Sequence, residues 1–323
     1  MDNDTAEAGE NLVARILITR RLASRAPERL TAAGHEVVVH DGPAASAGKL
    51  RALVDGVEGV LTTVADRVDP ALLDAAPGLR VVSNYAVGCD NVDLAACAAR
   101  GVAVGITPDV LTEATADLAF ALLLAAARHV PAADRAVRDG RWTSWEPAGW
   151  LGRDVHGATL VIVGAGRIGE AVARRAEGFS MDVVRVGRRD DLLAALAAAD
   201  FVSLHAPLLP ATRHLIGAAA LAAIKPGAIL VNTARGGLVD QVALTQALAD
   251  GRLAAAGLDV TDPEPLPADD PLLQAPNLVV LPHIGSATQG ARERMAQLAV
   301  DNLLAGLAGE PLPNPAPALA PAS

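Results

Sequence analysis

Four ionisable side chains each stand just past an apolar, strand-like run. Arg235 follows Ile229 to Asn232, and Asp259 ends Ala256-Gly257-Leu258-Asp259. Glu264 follows in Asp262-Pro263-Glu264-Pro265, and His283 follows Val279-Val280-Leu281-Pro282. In an open α/β sheet the active crevice lies at the carboxyl ends of the strands, where these residues would sit. An arginine presents a rigid fork that grips a carboxylate at two points. A histidine titrates near neutral pH, so it can give and take a proton. A glutamate beside it holds the ring and favours its charged form. Singly, His283 has the alternative of a surface histidine in a turn, and Arg235 that of a solvated loop arginine. Complementary types at successive strand ends favour a site.

A second constellation supplies what these residues lack. Leu160 to Gly164 is apolar, β-branched and ends in glycine; Gly164-Ala165-Gly166-Arg167-Ile168-Gly169 has the G-x-G-x-x-G spacing; Glu170 to Glu177 has an alanine-rich helical pattern. Strand, glycines and helix in that order are the context that gives the motif meaning, against a glycine-rich turn with no ligand. Gly164 allows the tight turn, Gly166 lets backbone approach a pyrophosphate, and Gly169 lets helix and strand pack closely. The helix N-terminus adds N–H donors and partial positive charge. A hydride carrier bound there completes a reduction of a 2-oxo acid. Arg235 would grip the carboxylate and polarise the ketone, a nicotinamide would deliver hydride to C2, and His283, oriented by Glu264, would protonate the alkoxide.

The elements that must position these groups follow a βα rhythm. Strands are expected at 14–18, 36–40, 59–62, 79–83 and 102–105, with helices from about Arg21 to Ala33, Lys49 to Val57, Pro70 to Ala75 and Val92 to Ala99. Such alternation predicts an α/β fold with parallel sheets. Thr112 to Arg128 is the longest helical pattern, capped by Thr112 or Asp109, and a further helix follows from Ala132 to Arg138. Six more strands, at 159–163, 182–186, 200–204, 228–231, 254–258 and 278–281, suit a doubly wound dinucleotide fold. A last helix runs from about Gln289 to Leu307. Residues 1 to 11 and the Pro/Ala-rich tail from Pro311 are expected to be loose.

Composition narrows the classes. The 323 residues allow two domains, and with 51% hydrophobic but 2% aromatic residues the core must be mostly Ala, Leu and Val. The net charge is -10, with four acids and no base in the first ten residues. That favours neither nucleic acid nor an anionic membrane. The start lacks signal-peptide character, and no apolar run reaches the ~20 residues of a membrane span. Two cysteines, Cys89 and Cys97, make no disulfide framework and no zinc spacing, so a reduced cytoplasmic setting and no metal are expected. His35, His40, His129, His156 and His214 read as ordinary strand, helix-end or loop residues. His205 reads as part of the cofactor crevice wall.

The chain resembles the D-2-hydroxyacid dehydrogenase family over about residues 14 to 314, most closely its glyoxylate/hydroxypyruvate reductases. The most specific stretches are Val87-Gly88-Cys89-Asp90-Asn91-Val92-Asp93, Thr107-Pro108-Asp109-Val110-Leu111-Thr112, the glycine motif, Asn232-Thr233-Ala234-Arg235-Gly236-Gly237, Gly257-Leu258-Asp259-Val260 with Pro263-Glu264-Pro265, and Leu281-Pro282-His283-Ile284-Gly285-Ser286. The resemblance implies that Arg235, Glu264 and His283 are catalytic and that backbone at Val87 and Gly88 contacts the substrate carboxylate. It also implies cofactor contacts from Thr112, Arg167, Ile168, Pro207, Thr233, Asp259, Gly285 and Ser286 beside Gly164, Gly166 and Gly169. A Rossmann domain (108–286) would be inserted in a flavodoxin-like substrate domain made of 1–107 and 287–323. Rival readings are a phosphoglycerate dehydrogenase and a non-catalytic dinucleotide-sensing corepressor.

Two further stretches carry expectations. An NAD-preferring site needs an acid ~20 residues beyond the glycines to hold the ribose 2′-OH. Here the second strand runs into Gly187-Arg188-Arg189, which suits a 2′-phosphate, so NADP is preferred over NAD. Asp190 is the counter-argument, and a helix-start role is expected for it. Trp142, Trp145 and Trp150 lie close together in a chain of seven aromatics. Tryptophan is favoured where chains bury surface against each other. The resemblance implies a homodimer in which Trp145 lines the partner's substrate pocket.

Overall fold

Short runs rich in β-branched residues, leucine and alanine form the strands, several of them bounded by glycine or aspartate. The computed structural model describes residues 13–317. It divides into two units: the chain up to Val110 joined by the chain from Gln289 onward, and Leu111–Thr288. The expectation for residues 1 to 11 lies outside the described residues.

The first unit holds a parallel sheet of β1 (Arg15–Ile18), β2 (Glu36–Val39), β3 (Gly59–Thr62), β4 (Val81–Asn84) and β5 (Ala103–Gly105). The order is β2-β1-β3-β4-β5, the flavodoxin-like arrangement. Leu17, Val60 and Val82 face a core with Leu50, Val54, Leu72 and Leu73. Gln289–Ala308 returns to this unit, and Leu303 and Leu307 press on Gly59, where a side chain would crowd them.

The second unit holds β6 (Thr159–Val163), β7 (Asp182–Val186), β8 (Phe201–Leu204), β9 (Ala228–Asn232), β10 (Leu253–Leu258) and β11 (Leu278–Val280). All pair in parallel, in the order β11-β10-β9-β8-β6-β7. Alternate residues enter separate cores, Val161, Val202 and Leu230 on one face and Leu160, Ile162, Phe201 and Ile229 on the other. A parallel sheet covered on both faces needs this near-continuous apolar character. The helix Thr112–Ala127 packs into the second of these cores through Ala119, Leu122, Leu123 and Ala126.

Several boundaries differ from expectation. The first helix is Ala26–Ala32, not Arg21 to Ala33. Arg21 instead pairs with Asp41 at 2.6 Å, and Pro27 occupies the first helical turn, where its missing N–H costs nothing. Likewise Pro131 lies in the first turn of Val130–Arg138 rather than outside it, and His129, at φ 53°, makes the bend before it. Neither Thr112 nor Asp109 caps the long helix: Leu111 holds the cap position, with no side-chain bond. The tail is not loose where it is described. Ile106 N donates to Asn314 O and Ala316 N to Val104 O, so the tail pairs with β5 and covers its edge. Buried Asn302 bridges the two, donating to Ile106 O and accepting from Asn314 N, both at 3.0 Å.

Candidate active site

In the second unit the chain goes from β6 outward to β7 and then crosses to β8 on the other side. That reversal is a topological switch point, where ligands bind beyond the carboxyl ends of the strands. The glycines lie there. Gly164 has φ 93°, and a Cβ on it would fall 2.6 Å from Ala206 N. A Cβ on Gly169 would fall 2.4 Å from Gly164 O, so helix and strand touch there. A Cβ on Gly166 would meet nothing within 4 Å. Gly166 therefore keeps open space rather than relieving a contact within the protein. It also precedes the helix Arg167–Glu177 without any side-chain cap, leaving first-turn amides available for a phosphate.

At the end of β7, Gly187, Arg188 and Arg189 are exposed. Here the helix-start reading of Asp190 is corrected. Asp190 Oδ2 accepts from Gly187 N at 2.7 Å, and the neighbouring Asp191 caps Leu192–Ala198 by accepting from Ala194 N. At the end of β8, His205 bonds through Nε2 to Ser203 Oγ at 2.8 Å, and burial pushes its pKa down to about 4. Pro207 follows, its carbonyl accepting from Thr212 Oγ1.

The end of β9 is organised by a buried residue that sequence reasoning missed. Asn232 accepts from Ala234 N at 3.0 Å and donates to Arg235 O at 2.8 Å, folding the chain so that Arg235 follows the strand in a tight turn. The Arg235 guanidinium donates to Ala234 O at 2.7 Å. Buried Thr233 has an Oγ1 without a hydrogen-bond partner among the described residues. Gly236 brings this turn against the next one: a Cβ there would fall 2.0 Å from the Thr261 carbonyl. Gln241, also missed, holds Asp262 with a reciprocal pair of 2.8 Å bonds.

The turn after β10 carries Glu264. Its Oε1 accepts from Thr261 N at 3.0 Å, and its Oε2 lies 2.8 Å from His283 Nδ1. His283 adopts φ 55° and donates its amide to Asp259 O. The buried Asp259 carboxylate accepts from the amides of Ile284 and Gly285, both at 2.7 Å, while burial raises its pKa. Ser286 follows directly. Glu264, His283 and Asp259 thus form one hydrogen-bonded cluster, with the Arg235 turn packed on it through Gly236.

The remaining expected residues lie elsewhere. Thr112 is the first residue of its helix. Val87 and Gly88 lie in the loop after β4 of the first unit. Trp145 is 80% exposed, and Trp142 and Trp150 are exposed too, in an irregular segment. Neither cysteine forms a disulfide among the described residues, and burial pushes the Cys97 thiol up to about 11. Among the described residues no group of three His, Cys, Asp or Glu could hold a metal ion, and no single helix is long and apolar enough to cross a membrane.

The space at Gly166, the uncapped helix start, the orphaned Thr233 hydroxyl and the buried Asp259 fit a dinucleotide. The NAD binding domain of D-isomer specific 2-hydroxyacid dehydrogenases matches residues 120–285. A glyoxylate reductase of Korarchaeum cryptofilum is 50% identical, covering 81% of this chain and 83% of its own. The human glyoxylate reductase/hydroxypyruvate reductase is 42% identical, covering 93% and 97%. Among solved structures, the NADPH-dependent glyoxylate/hydroxypyruvate reductase of Sinorhizobium meliloti in complex with NADP and malonate has a TM-score of 0.82 at 35% identity, covering 94% of this chain and 97% of that one. With a dinucleotide site built at the switch point and relatives this similar over most of both chains, the protein belongs to the D-isomer specific 2-hydroxyacid dehydrogenases, oxidoreductases that work with a nicotinamide dinucleotide.

Proposed function

We propose that this chain reduces glyoxylate or hydroxypyruvate to the D-2-hydroxy acid, with NADPH preferred over NADH. The observation that carries the reading is the His283–Glu264 pair at 2.8 Å beside the Arg235 turn. The reduced nicotinamide supplies the hydride for C2. Arg235 binds the substrate carboxylate and draws charge from the ketone oxygen. Glu264 occupies His283 Nδ1, which leaves Nε2 as the nitrogen that delivers a proton to the forming alkoxide. Thr261 N holds Glu264 from its other oxygen, so the ring keeps one orientation. The amides of Val87 and Gly88, which have no acceptor among the described residues, support a second grip on the carboxylate.

Cofactor preference rests on Arg188 and Arg189, which offer charge-assisted donors to a 2′-phosphate. The orphaned Thr233 hydroxyl and Asp259 serve the nicotinamide end, with Thr112, Arg167, Ile168, Pro207, Gly285 and Ser286 around the dinucleotide. The exposed tryptophans support a homodimer in which Trp145 closes the partner's substrate pocket. Two cysteines outside any disulfide suit the cytoplasm. The test is turnover with NADPH and NADH across glyoxylate, hydroxypyruvate, pyruvate and longer 2-oxo acids, with light scattering for the dimer. No reduction of any 2-oxo acid with either cofactor overturns the reading.

A further inference from the structure

The loop after β4 rests on a buried polar network that the reaction chemistry does not use. Asn84, fully buried, spends all of its hydrogen-bonding capacity. Its Nδ2 donates to Gly88 O at 2.9 Å and to Asn91 Oδ1 at 3.1 Å; its Oδ1 accepts from Thr62 Oγ1 at 3.1 Å and Asn91 Nδ2 at 3.2 Å. Asn91 also donates to the carbonyls of Thr63 and Asp66. Buried Asp66 accepts in turn from Thr19 Oγ1, Thr63 N and Thr63 Oγ1. A buried network that is fully satisfied rigidifies what it holds.

What it holds is the direction of the loop's amides. Ala86 O accepts from Thr107 N at 2.8 Å, and Gly88 O accepts from Asn84. In a trans peptide the N–H points opposite to the preceding carbonyl, and the cis bonds of the described residues are two X–Pro bonds elsewhere. The held Ala86 carbonyl therefore fixes the direction of the Val87 amide, and the held Gly88 carbonyl fixes the far side of the Gly88 residue. The Gly88 amide lies between the two anchors. Among the described residues, the amides of Val87 and Gly88 find no acceptor.

We propose that Asn84 is a positioning residue for the substrate. It clamps the Gly88 carbonyl, so that the Val87 and Gly88 amides stay aimed at the substrate carboxylate without reordering on binding. The inference rests on the proposed reading of those amides as carboxylate donors. A preorganised donor pair lowers the cost of binding, while a displaced one loses affinity for any carboxylate ligand.

Three variants test it: Asn84→Asp, which keeps the shape but loses both donors; Thr62→Val, which removes one support of Asn84; and Thr62→Ser, which restores that hydroxyl. Glyoxylate KM, kcat, NADPH Kd and the Kd of oxalate by calorimetry are measured for each. Asn84→Asp should raise glyoxylate KM and oxalate Kd about tenfold or more, with kcat and NADPH Kd nearly unchanged. Thr62→Val should move both in the same direction by less, and Thr62→Ser should return them to wild-type values. Unchanged oxalate binding, or a loss shared equally by NADPH binding, overturns the proposal. If Asn84→Asp does not fold, the two Thr62 variants decide it alone. A wild-type protein that fails to reduce glyoxylate sinks the proposed function instead, while oxalate binding still reads Asn84.

Discussion

Acid should loosen the dinucleotide-binding unit through His205. The ring sits at the end of β8, bonded to Ser203 Oγ, and its own carbonyl carbon lies where a Cβ on Gly164 would come within 2.7 Å. Burial pushes its pKa from 6.5 down to about 4. Above pH 6.5 the ring is neutral in folded and unfolded chains alike, and the pH has no lever on it. Below 6.5 the unfolded chain takes up a proton that the folded chain refuses. Stability is therefore lost as pH falls from 6.5 towards 4, and no further below that. At 1.36 kcal/mol per pH unit the full gap is worth about 3 kcal/mol, and about 2.5 kcal/mol of it is spent by pH 4.5.

Carboxylates titrate in the same range, so the wild type alone cannot isolate this effect. The perturbation is His205→Asn, which cannot titrate. Urea unfolding followed by circular dichroism is compared for both proteins between pH 7.5 and 4.5. The variant loses the Ser203 bond at every pH, which offsets its curve by a constant. The wild-type minus variant difference should then fall by about 2 to 3 kcal/mol across the range. A difference that stays flat would refute the neutral, buried histidine and the sign derived from it.

Three substitutions address the chemistry. His283→Ala should cut kcat on glyoxylate by ~10²–10⁴-fold with NADPH affinity intact, and near-full kcat in steady-state assays rejects the proton-donor role. Arg235→Lys keeps charge but loses the two-point fork, so KM should rise and kcat fall; an unchanged kcat/KM counts against the carboxylate clamp. Gly236→Ala places a Cβ 2.0 Å from the Thr261 carbonyl and must push the Arg235 turn off the Glu264 turn. It should cost about 1–3 kcal/mol of stability and more than tenfold in kcat/KM, and wild-type thermal unfolding with wild-type kinetics would show that the two turns are not in register through this glycine.

Much of this architecture was legible because it rests on local pattern. Apolar β-branched runs closed by glycine, such as Leu160 to Gly164, can hardly be anything but buried strands, and ionisable residues past such runs stand out. The Asp259–Glu264–His283 grouping could be anticipated for that reason. Asn84 and Asn232 were not, although each ends a buried strand, Val-Val-Ser-Asn and Ile-Leu-Val-Asn. An amide at that place has no charge to attract attention, yet it is what folds the following turn. The pairing of the tail with β5 was equally hidden. It depends on Asn302, more than a hundred residues from Ile106 in sequence, and long-range partners leave no periodic trace.

The two aspartates after β7 show how a single position separates two chemistries. Asp190 and Asp191 both precede an alanine-rich helix, and propensity cannot rank them. Backbone geometry does: Asp191 sits extended, at φ -77° and ψ 97°, and caps the helix. That leaves Asp190 to fold back on the Gly187 amide. Its carboxylate is therefore committed to the backbone and would have to give up a 2.7 Å bond to reach a ribose hydroxyl. Under the proposed NADPH preference, the groups left to meet a cofactor at this strand end are the cations Arg188 and Arg189. On that proposal Asp190 would work against NADPH only as a nearby negative charge, and by occupying an amide a phosphate oxygen could use. Asp190→Ala should raise kcat/KM for NADPH and leave that for NADH nearly unchanged, so the ratio of the two climbs. A variant that instead loses NADH activity selectively would show that Asp190 leaves Gly187 to hold the ribose, and the NADPH preference would fall with it.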